Sequence, residues 1–471
     1  MEDGEGVKAR ARSRFFFLVL FLAFCLTASL SVATHDILRS PGASTALALH
    51  ASDAVPGEIL VKFQEPVRAA AYGPVHAALG HQELGRIDEL GIARVSVPDV
   101  GEAIQLYERL PGVEFAEPNY IVRADLTPND PLFATRQQWY YDLIEAPAAW
   151  DVALGSPTVT VAVLDTGIGI AHPDLASAIW ANPDETDGNR RDDDNNGCVD
   201  DVHGCSFAVS TSPSCRYGAT PNNDIDDDTG HGTFAAGVIA GQGDNRLGIA
   251  GVAPGVKIMP VKVLDCTGAG STSAAAAGVL YAAQMGADVI NISFGGEAES
   301  LTMKDALTVA HDAYGVVIVA SAGNTATSRV TFPARLDNVM AVSASDRRKP
   351  DMKAPFSNWG PEVDVTAPGV DIVSTIPSQL CGDIFACLDS QPYALASGTS
   401  FSAALVSGAA ALIISKNPHL LPDQVAGQLT RTAHDLPDGT YTNWDGAGRV
   451  QVAKALTPIT YRVGVSGITK N

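Results

Sequence analysis

Three residues of different chemical types stand inside short phrases that are rich in glycine and small side chains. Asp165 lies in VAVLDTGI, His231 in DTGHGTFAAG and Ser400 in SGTSFSA. A serine hydroxyl becomes an effective nucleophile when an adjacent imidazole removes its proton, and a carboxylate can hold that imidazole in the correct tautomer. Asp first, His second and Ser last is one of the chain orders in which this triad occurs. The three residues therefore predict nucleophilic acyl transfer.

The segments around these residues predict the elements that position them. The apolar run 161–164 is typical of a buried parallel strand, and it places Asp165 at the carboxyl end of that strand, where ligands bind in open α/β sheets. His231 opens a helix-like segment, and its two flanking glycines let other backbone approach the ring closely. Ser400 precedes the apolar run 401–415, so we expect its hydroxyl at a helix N-terminus, among unpaired N–H groups.

Acyl transfer also develops negative charge on the carbonyl oxygen of the substrate, which must be met by hydrogen-bond donors. Asn324 ends a further strand-like run, 317–324, and carries a side-chain amide. We expect this amide and the backbone N–H of Ser400 to form the oxyanion hole, where one donor lowers the barrier by about 3 kcal/mol.

Two simpler readings compete with the triad. A single Asp at a strand end or Ser at a helix start is commonly a turn or cap residue. The two DTG triplets, 165–167 and 228–230, also suggest an aspartic protease with paired carboxylates. The triplets are too close together for two lobes, and the second is explained by the phrase GHGT that follows it.

On the motifs around Asp165, His231, Asn324 and Ser400, the chain resembles a secreted subtilisin-like protease (subtilase) from about Val55 to Leu456. The further phrases that carry the resemblance are 251–254, 261–264, 291–296 and 367–369. The resemblance implies a subtilisin-like three-layer α/β fold with a mostly parallel sheet, preceded by a small α+β (ferredoxin-like) propeptide. It also implies a serine endopeptidase that acts on protein or peptide substrates through an acyl-enzyme. The different-class alternative is a catalytically weak binding protein.

Composition and charge limit the partners. The chain has 471 residues and is 46% hydrophobic, which is ample for a large packed core. Residues 126–471 hold 20 Lys and Arg against 37 Asp and Glu, a balance of −17, and this argues against nucleic acid or an anionic membrane surface as partner. We expect a monomer.

Six cysteines remain when Cys25 is set aside, and export makes disulfides plausible. Cys381 with Cys387 is the pair that we predict, and free thiols are the alternative for the others.

The chain divides into segments of distinct character. Basic residues precede the apolar run 15–33, which reads as a signal peptide or, since it is 19 residues long, as a membrane anchor. The predicted divisions are signal peptide or anchor 1–33, linker 34–54, inhibitory propeptide 55–125, catalytic domain 126–456 and tail 457–471. The resemblance implies that the propeptide templates folding, occupies the groove and is cut off near 122–129. A permanent accessory domain is the alternative.

The resemblance also implies where substrate binds. Peptides of such proteins are added as a strand, main chain to main chain. The segments that match the groove are Gly268, Ala269 and Gly270, then Ser293, Phe294 and Gly295, with Ala320, Ser321 and Ala322 lining the primary pocket. Thr331 stands where such proteins often have Gly, and we expect it to shorten this pocket. Thr272 stands where several have a large aromatic residue, so a more distant subsite is expected to be open.

Two groups of oxygen ligands predict structural calcium. The first is an acidic loop with alternating carboxylates before a glycine: Asp192, Asp194, Asn196 and then Asp201. It lacks Glu at the twelfth position, and a solvated acidic turn is the alternative. The second group rests on the resemblance and comprises Asp130, Asp174 and Asn245 with the carbonyls of Leu247 and Ile249.

One departure from the family motif is Ala404, which stands four residues after Ser400 where such proteins have Pro.

Overall fold

The computed structural model describes residues 54–64, 72–121, 127–215, 217, 221–436 and 443–457, which form two units that divide after Ile121. The predicted signal peptide or anchor lies outside the described residues, as do nearly all of the linker and the tail. Most of the predicted processing region, 122–126, lies outside them as well.

The N-terminal unit is a four-stranded antiparallel sheet with two helices. Its elements are β1 (Ala54–Phe63), α1 (Tyr72–Ala78), β2 (Gln82–Ile87), β3 (Ile92–Ser96), α2 (Val100–Glu108) and β4 (Val113–Tyr120). The strand order is β2-β3-β1-β4. Ile59, Val61 and Phe63 alternate along β1 and pack against Tyr107 of α2, whose N-cap Asp99 accepts from Glu102 N at 2.8 Å. This βαββαβ arrangement confirms the predicted ferredoxin-like α+β unit.

The C-terminal unit is built on a parallel sheet. Its seven described strands are β5 (Thr160–Asp165), β6 (Cys205–Ser206), β7 (Lys257–Lys262), β8 (Val289–Ile292), β9 (Val317–Ser321), β10 (Met340–Ser345) and β11 (Val365–Pro368). Their order is β11-β10-β9-β8-β5-β7-β6, and every pairing is parallel. All six residues of β5 are buried, as expected for a strand covered on both faces.

Helices cover both faces of this sheet. They are α3 (Gln138–Leu143), α4 (Ala146–Trp150), α5 (His231–Ala240), α6 (Thr272–Gln284), α7 (Leu301–Tyr314), α8 (Thr399–Lys416), α9 (Pro422–Arg431) and α10 (Val452–Ala455), with a small hairpin of β12 (Ile372–Thr375) and β13 (Tyr393–Ala396). Val161 and Val163 of β5 join the core with α5 and α8, whereas Ala162 and Leu164 join the core with α6 and α7. Because alternate side chains of a strand point to opposite faces, the result is the predicted three-layer α/β fold.

The long apolar helix α8 lies inside the C-terminal unit. Among the described residues it is the one helix that is long and apolar enough to cross a membrane, with 18 residues and a mean hydropathy of 1.4. Of that window, 89% is buried inside the protein. A core helix of a parallel-sheet protein meets the same criteria, and its burial brings Ser400 at its N-terminus against the sheet edge.

Three disulfides link loops of the C-terminal unit. They join Cys198 with Cys205, Cys215 with Cys266 and Cys381 with Cys387. The pairing of Cys381 with Cys387 is as predicted, and the other two resolve pairings that the sequence left open. Cys215–Cys266 closes the longest of the three loops, with a sequence separation of 51, and so removes the most freedom from the unfolded chain.

Candidate active site

Asp165 and His231 meet at the carboxyl end of β5. Asp165 is fully buried and accepts Thr166 N at 2.8 Å through Oδ1. His231 is the first residue of α5, and its Nδ1 lies 2.8 Å from Oδ1 and 3.0 Å from Oδ2 of Asp165. The carboxylate thereby fixes Nδ1 as the protonated nitrogen and leaves Nε2 as the base.

Ser400 is the second residue of α8 and lies against the loop that follows β8. Its Oγ donates to the Ser293 carbonyl at 2.9 Å, and Ser293 Oγ donates back to the Ser400 carbonyl at 3.0 Å. The next residue, Phe401, packs its ring 5.6 Å from the His231 ring. A rotation about the Cα–Cβ bond of Ser400 would release its hydroxyl from the Ser293 carbonyl. Catalytic hydrogen bonds commonly tighten only when substrate is bound.

Asn324 presents its amide beside the start of α8. Its Oδ1 accepts from both the backbone N and the Oγ1 of Thr399 at 2.9 Å, so its Nδ2 is left to face Gly398. A Cβ at Gly398 would lie 3.5 Å from Asn324 Nδ2 and 3.8 Å from Ser400 N. Glycine thus leaves open the space between two donors. Since Ser400 is in the first turn of a helix, its N–H has no intrahelical acceptor, and both donors are available to an oxyanion.

The surroundings of His231 favour its charged form. Burial on its own disfavours the imidazolium and lowers its pKa. The charge of Asp165, the hydrogen bond to it and the charge of Asp227 together outweigh burial and raise the pKa of His231 above the ordinary value. An imidazolium that forms as the serine proton is taken up is therefore stabilised in place.

Sequence reasoning missed Asp227, a buried carboxylate behind the imidazole. Its neighbour Asp228 belongs to the second DTG triplet but is more exposed, and it pairs with Lys262 Nζ at 2.6 Å. The sequence offered one signal for Asp227, its position four residues before His231, and this signal was not sufficient. A run of three acids, 226–228, gives no indication of which one turns inward.

The groove segments predicted from the resemblance face one another across one cavity of about 470 Å³. Gly268, Ala269 and Gly270 line one side and Phe294 and Gly295 the other. Thr272 also lines this cavity, and an open subsite beside it stays a prediction. Ser293, which precedes Phe294, does not line this cavity; its carbonyl accepts the Ser400 hydroxyl.

Ala320, Ser321 and Ala322 are buried at the end of β9. Thr331 lies over them and donates its Oγ1 to the Ser321 and Ala322 carbonyls at 3.3 and 3.2 Å. A Cβ at Gly295 would come within 2.8 Å of Thr331 Oγ1, and one at Gly323 within 2.7 Å of Thr331 Cγ2. Thr331 therefore fills the space between these two glycines.

The ligand set taken from the resemblance is brought together at one place. Asp130 and Asp174 are buried, and Asn245 Nδ2 donates to Asp174 Oδ1 at 2.7 Å. Asn245 N donates to Asp130 Oδ1 at 3.3 Å, and Ile249 N donates to Asp174 Oδ2 at 3.0 Å. Leu247 N donates to Asn245 Oδ1 at 2.7 Å. Each carboxylate oxygen accepts a hydrogen bond from the protein, and among the described residues no lysine or arginine forms an ion pair with either carboxylate. Carboxylate and amide oxygens are the ligand types that calcium prefers.

The acidic loop brings together a trio of carboxylates that includes two of the four predicted ligands, Asp194 and Asp201. Glu185, Asp194 and Asp201 place ligand oxygens within 4.8 Å of one another, and Glu185 Oε2 is buried without a hydrogen-bond partner among the described residues. Asn196 adjoins them, with Nδ2 at 2.9 Å from Asp194 and 2.8 Å from Asp201. Asp192 lies outside the trio, since its oxygens accept from the backbone of the loop's own turn. The orphaned oxygen of Glu185 and the converging charges fit calcium.

Comparison with known proteins agrees with this geometry. Residues 156–448 match the Subtilase family, and residues 41–119 match the Fervidolysin N-terminal prodomain. The thermophilic serine proteinase of Bacillus sp. (strain AK1) is 34% identical over 413 residues, which cover 86% of this chain and 88% of that protein. Thermitase of Thermoactinomyces vulgaris is 36% identical over 330 residues, 70% of this chain and 99% of that protein.

A solved protease from Pseudoalteromonas arctica PAMC 21717 has a TM-score of 0.58 and 31% sequence identity, over 70% of this chain and 99% of that one. The chain belongs to the subtilase family, with an N-terminal prodomain. It is a serine-type endopeptidase.

The raised pKa of His231 predicts where activity is lost on acidification. The imidazole must be neutral to accept the Ser400 proton, and a group with a raised pKa stays protonated to a higher pH. We expect the acid limb of kcat/KM for a peptide anilide to lie above pH 6.5, the ordinary value for histidine. A pH profile at constant ionic strength measures it, and a limb at or below that value contradicts the prediction.

Asn324→Ala is expected to lower kcat about 100- to 1,000-fold with little change in KM, because it removes one oxyanion donor. Thr399→Val is the matched variant, since it keeps the Asn324 amide but removes a hydroxyl that orients it. We expect a smaller loss for Thr399→Val. Steady-state kinetics on one peptide anilide compare the two, and an unchanged kcat in Asn324→Ala would remove Asn324 from the oxyanion hole.

Proposed function

We propose that this protein is a secreted serine endopeptidase that cleaves peptide bonds by an Asp165-His231-Ser400 triad and is made as a self-processing zymogen. The observation that carries the proposal is the pairing of Asp165 with His231 beside the first turn of α8, where Ser400 N and the amide of Asn324 border the same space. The subtilase family of the chain supports the same chemistry.

The geometry supports the following sequence of events. His231 Nε2 takes the Ser400 proton as Oγ attacks the scissile carbonyl, and Asp165 holds the imidazolium by its hydrogen bonds to Nδ1. Asn324 Nδ2 and Ser400 N donate to the oxyanion. The imidazolium then gives its proton to the leaving amine, which leaves the acyl-enzyme on Ser400. Water, activated by the same imidazole, hydrolyses that ester.

The groove supports binding of the substrate as an added strand. Segments 268–270 and 293–295 supply the edges with which a peptide main chain can pair. Thr331 occupies the floor of the primary pocket between Gly295 and Gly323, so short side chains are expected before the cleaved bond. The open cavity near Thr272 accommodates a large apolar side chain further from it.

Export and zymogen processing belong to the same proposal. Residues 1–33 serve as signal peptide, or as a membrane anchor if they are not cleaved, and 34–54 as a linker. Residues 55–125 act as the inhibitory propeptide, which Ser400 cuts off in the region 122–129, and 126–456 form the mature catalytic domain. The prodomain match at 41–119 supports a propeptide, although it begins within the segment 34–54. The mature protein acts as a monomer.

We also propose that calcium holds two loops of the catalytic domain. Asp130, Asp174 and Asn245 with the carbonyls of Leu247 and Ile249 hold one ion and fix the start of the mature domain to two distant loops. Glu185, Asp194, Asn196 and Asp201 hold the other, and of these Asp201 lies in the loop closed by Cys198–Cys205. In each place the ion would neutralise converging carboxylates that have no cationic side chain among their described partners.

Ser400→Ala is expected to abolish both casein cleavage and processing of the chain, because the same hydroxyl performs both. Ser415→Ala, in the last turn of the same helix, is the control and should process normally. Electrophoresis and labelling with a fluorophosphonate probe read out the result. Normal self-processing of Ser400→Ala in a protease-free host would remove Ser400 from the role. Absence of label in a correctly processed wild-type chain would favour the binding-protein alternative.

Removal of calcium is expected to lower the melting temperature and speed self-digestion. A ligand that binds only the folded state stabilises it by about 2.7 kcal/mol at one hundred times its dissociation constant. Melting curves of Ser400→Ala with calcium and with chelator measure the effect without autolysis. Asp174→Asn and Glu185→Gln, each in that background, should lose separate parts of it. Identical curves with calcium and chelator would exclude both sites.

A further inference from the structure

Asp227 is a buried carboxylate, 2% exposed, in the loop that leads into α5. Five donors converge on its two oxygens, at distances of 2.6 to 3.1 Å. Oδ1 accepts from Thr166 Oγ1, Thr229 N and Gly230 N, and Oδ2 accepts from the backbone N and the Oγ1 of Thr233. Both carboxylate oxygens therefore accept hydrogen bonds. An amide in the same place could accept only at its one oxygen, because its nitrogen is a donor.

These bonds join the two segments that carry Asp165 and His231. Thr166, directly after Asp165, donates its hydroxyl to Asp227 and accepts Gly232 N at 3.1 Å through the same oxygen. Gly230 N and Thr233 N, on either side of His231, donate to Asp227. The carboxylate therefore ties the end of β5 to the first turn of α5.

A role as an ordinary helix cap does not account for this arrangement. Gly230, the N-cap of α5, has no side chain to offer, and Asp227 takes over the bond to Thr233 N that a capping side chain would make. A cap needs only that bond. The hydrogen bond from Thr166 comes from the residue that follows β5, and it joins the N-terminus of α5 to the segment that carries Asp165.

We propose that Asp227 is a positioning residue for catalysis, which holds the imidazole of His231 and the carboxylate of Asp165 in register and adds a second negative charge beside the imidazolium. The inference rests on the proposed triad. It assigns to Asp227 no contact with substrate and no proton transfer.

The charges around His231 favour such a role. Asp165 contacts the ring from β5, Asp227 faces it from the preceding loop, and Phe401 packs against it from α8. Among the described residues, Lys262 of β7 faces this loop, where it binds the Asp226 carbonyl and is paired with the Asp228 carboxylate. The negative charge of Asp227 is consequently left to act on the imidazole, where it helps to raise its pKa.

Asp227→Asn tests the inference, because an amide can accept at only one of the two positions and carries no charge. We expect kcat on a peptide anilide to fall about tenfold to a hundredfold with KM nearly unchanged, and the acid limb of kcat/KM to move to lower pH. Asp224→Asn, an exposed carboxylate of the same loop, removes the same charge and should leave both properties as in the wild type.

Thr166→Val separates position from charge. It removes the bond from β5 while keeping the carboxylate, so kcat should fall and the acid limb should stay near that of the wild type. Wild-type kcat and acid limb in Asp227→Asn overturn the inference. If Asp227→Asn does not fold, an unchanged kcat in Thr166→Val overturns it. Fluorophosphonate labelling of wild-type Ser400 is measured alongside, because its failure sinks the triad itself, whereas labelling with an unaffected Asp227→Asn sinks only this inference.

Discussion

Burial of the parallel sheet on both faces is the constraint on which the rest of the catalytic unit depends. Because α5 and α8 cover one face and α6 and α7 the other, the strands have no exposed face on which to carry polar chemistry. Polar side chains are confined to the strand ends. β5 and β8 lie side by side, and β9 pairs with β8, so the residues that follow them meet at one edge. The N-terminus of helix α8 lies at this edge, and Ser400 is in its first turn.

Buried charge at this edge is balanced by short local contacts. Asp165 is fully buried and meets the His231 ring, while Asp227 is compensated by five donors and Lys262 by Asp228. Breaking one member of such a set leaves its partner buried and unpaired, which costs more than the bond itself contributes. The site is therefore rigid because each charge has one arrangement that satisfies it.

The sequence predicted those parts of the fold and the candidate site that follow from local pattern. The apolar runs before Asp165 and Asn324 predicted two buried strands, and the three-layer arrangement with its ferredoxin-like unit came from the family resemblance. The inward turn of Asp227 and the part played by Glu185 were not predictable, since each depends on donors or charges brought in by folding. In an acidic run, spacing alone cannot distinguish the carboxylate that turns inward from those that remain in solvent. Apart from Cys381 with Cys387, the cysteine pairing was also left open, because six cysteines allow 15 sets of pairings and the sequence does not show which of them folding selects.

The start of α8 is held by a buried chain of hydrogen bonds that bears on Ala404. Ser407 Oγ donates to Asn291 Oδ1 at 3.0 Å, Asn291 Nδ2 donates to Ser293 Oγ at 2.9 Å, and Ser293 Oγ donates to the Ser400 carbonyl at 3.0 Å. With Ala at 404, a helical N–H also points at that carbonyl, four residues back. A carbonyl oxygen has two lone pairs and can accept both donors. The extra N–H of Ala404 thus adds a second bond to the Ser400 carbonyl, beside the bond that reaches it from Ser293 at the end of β8.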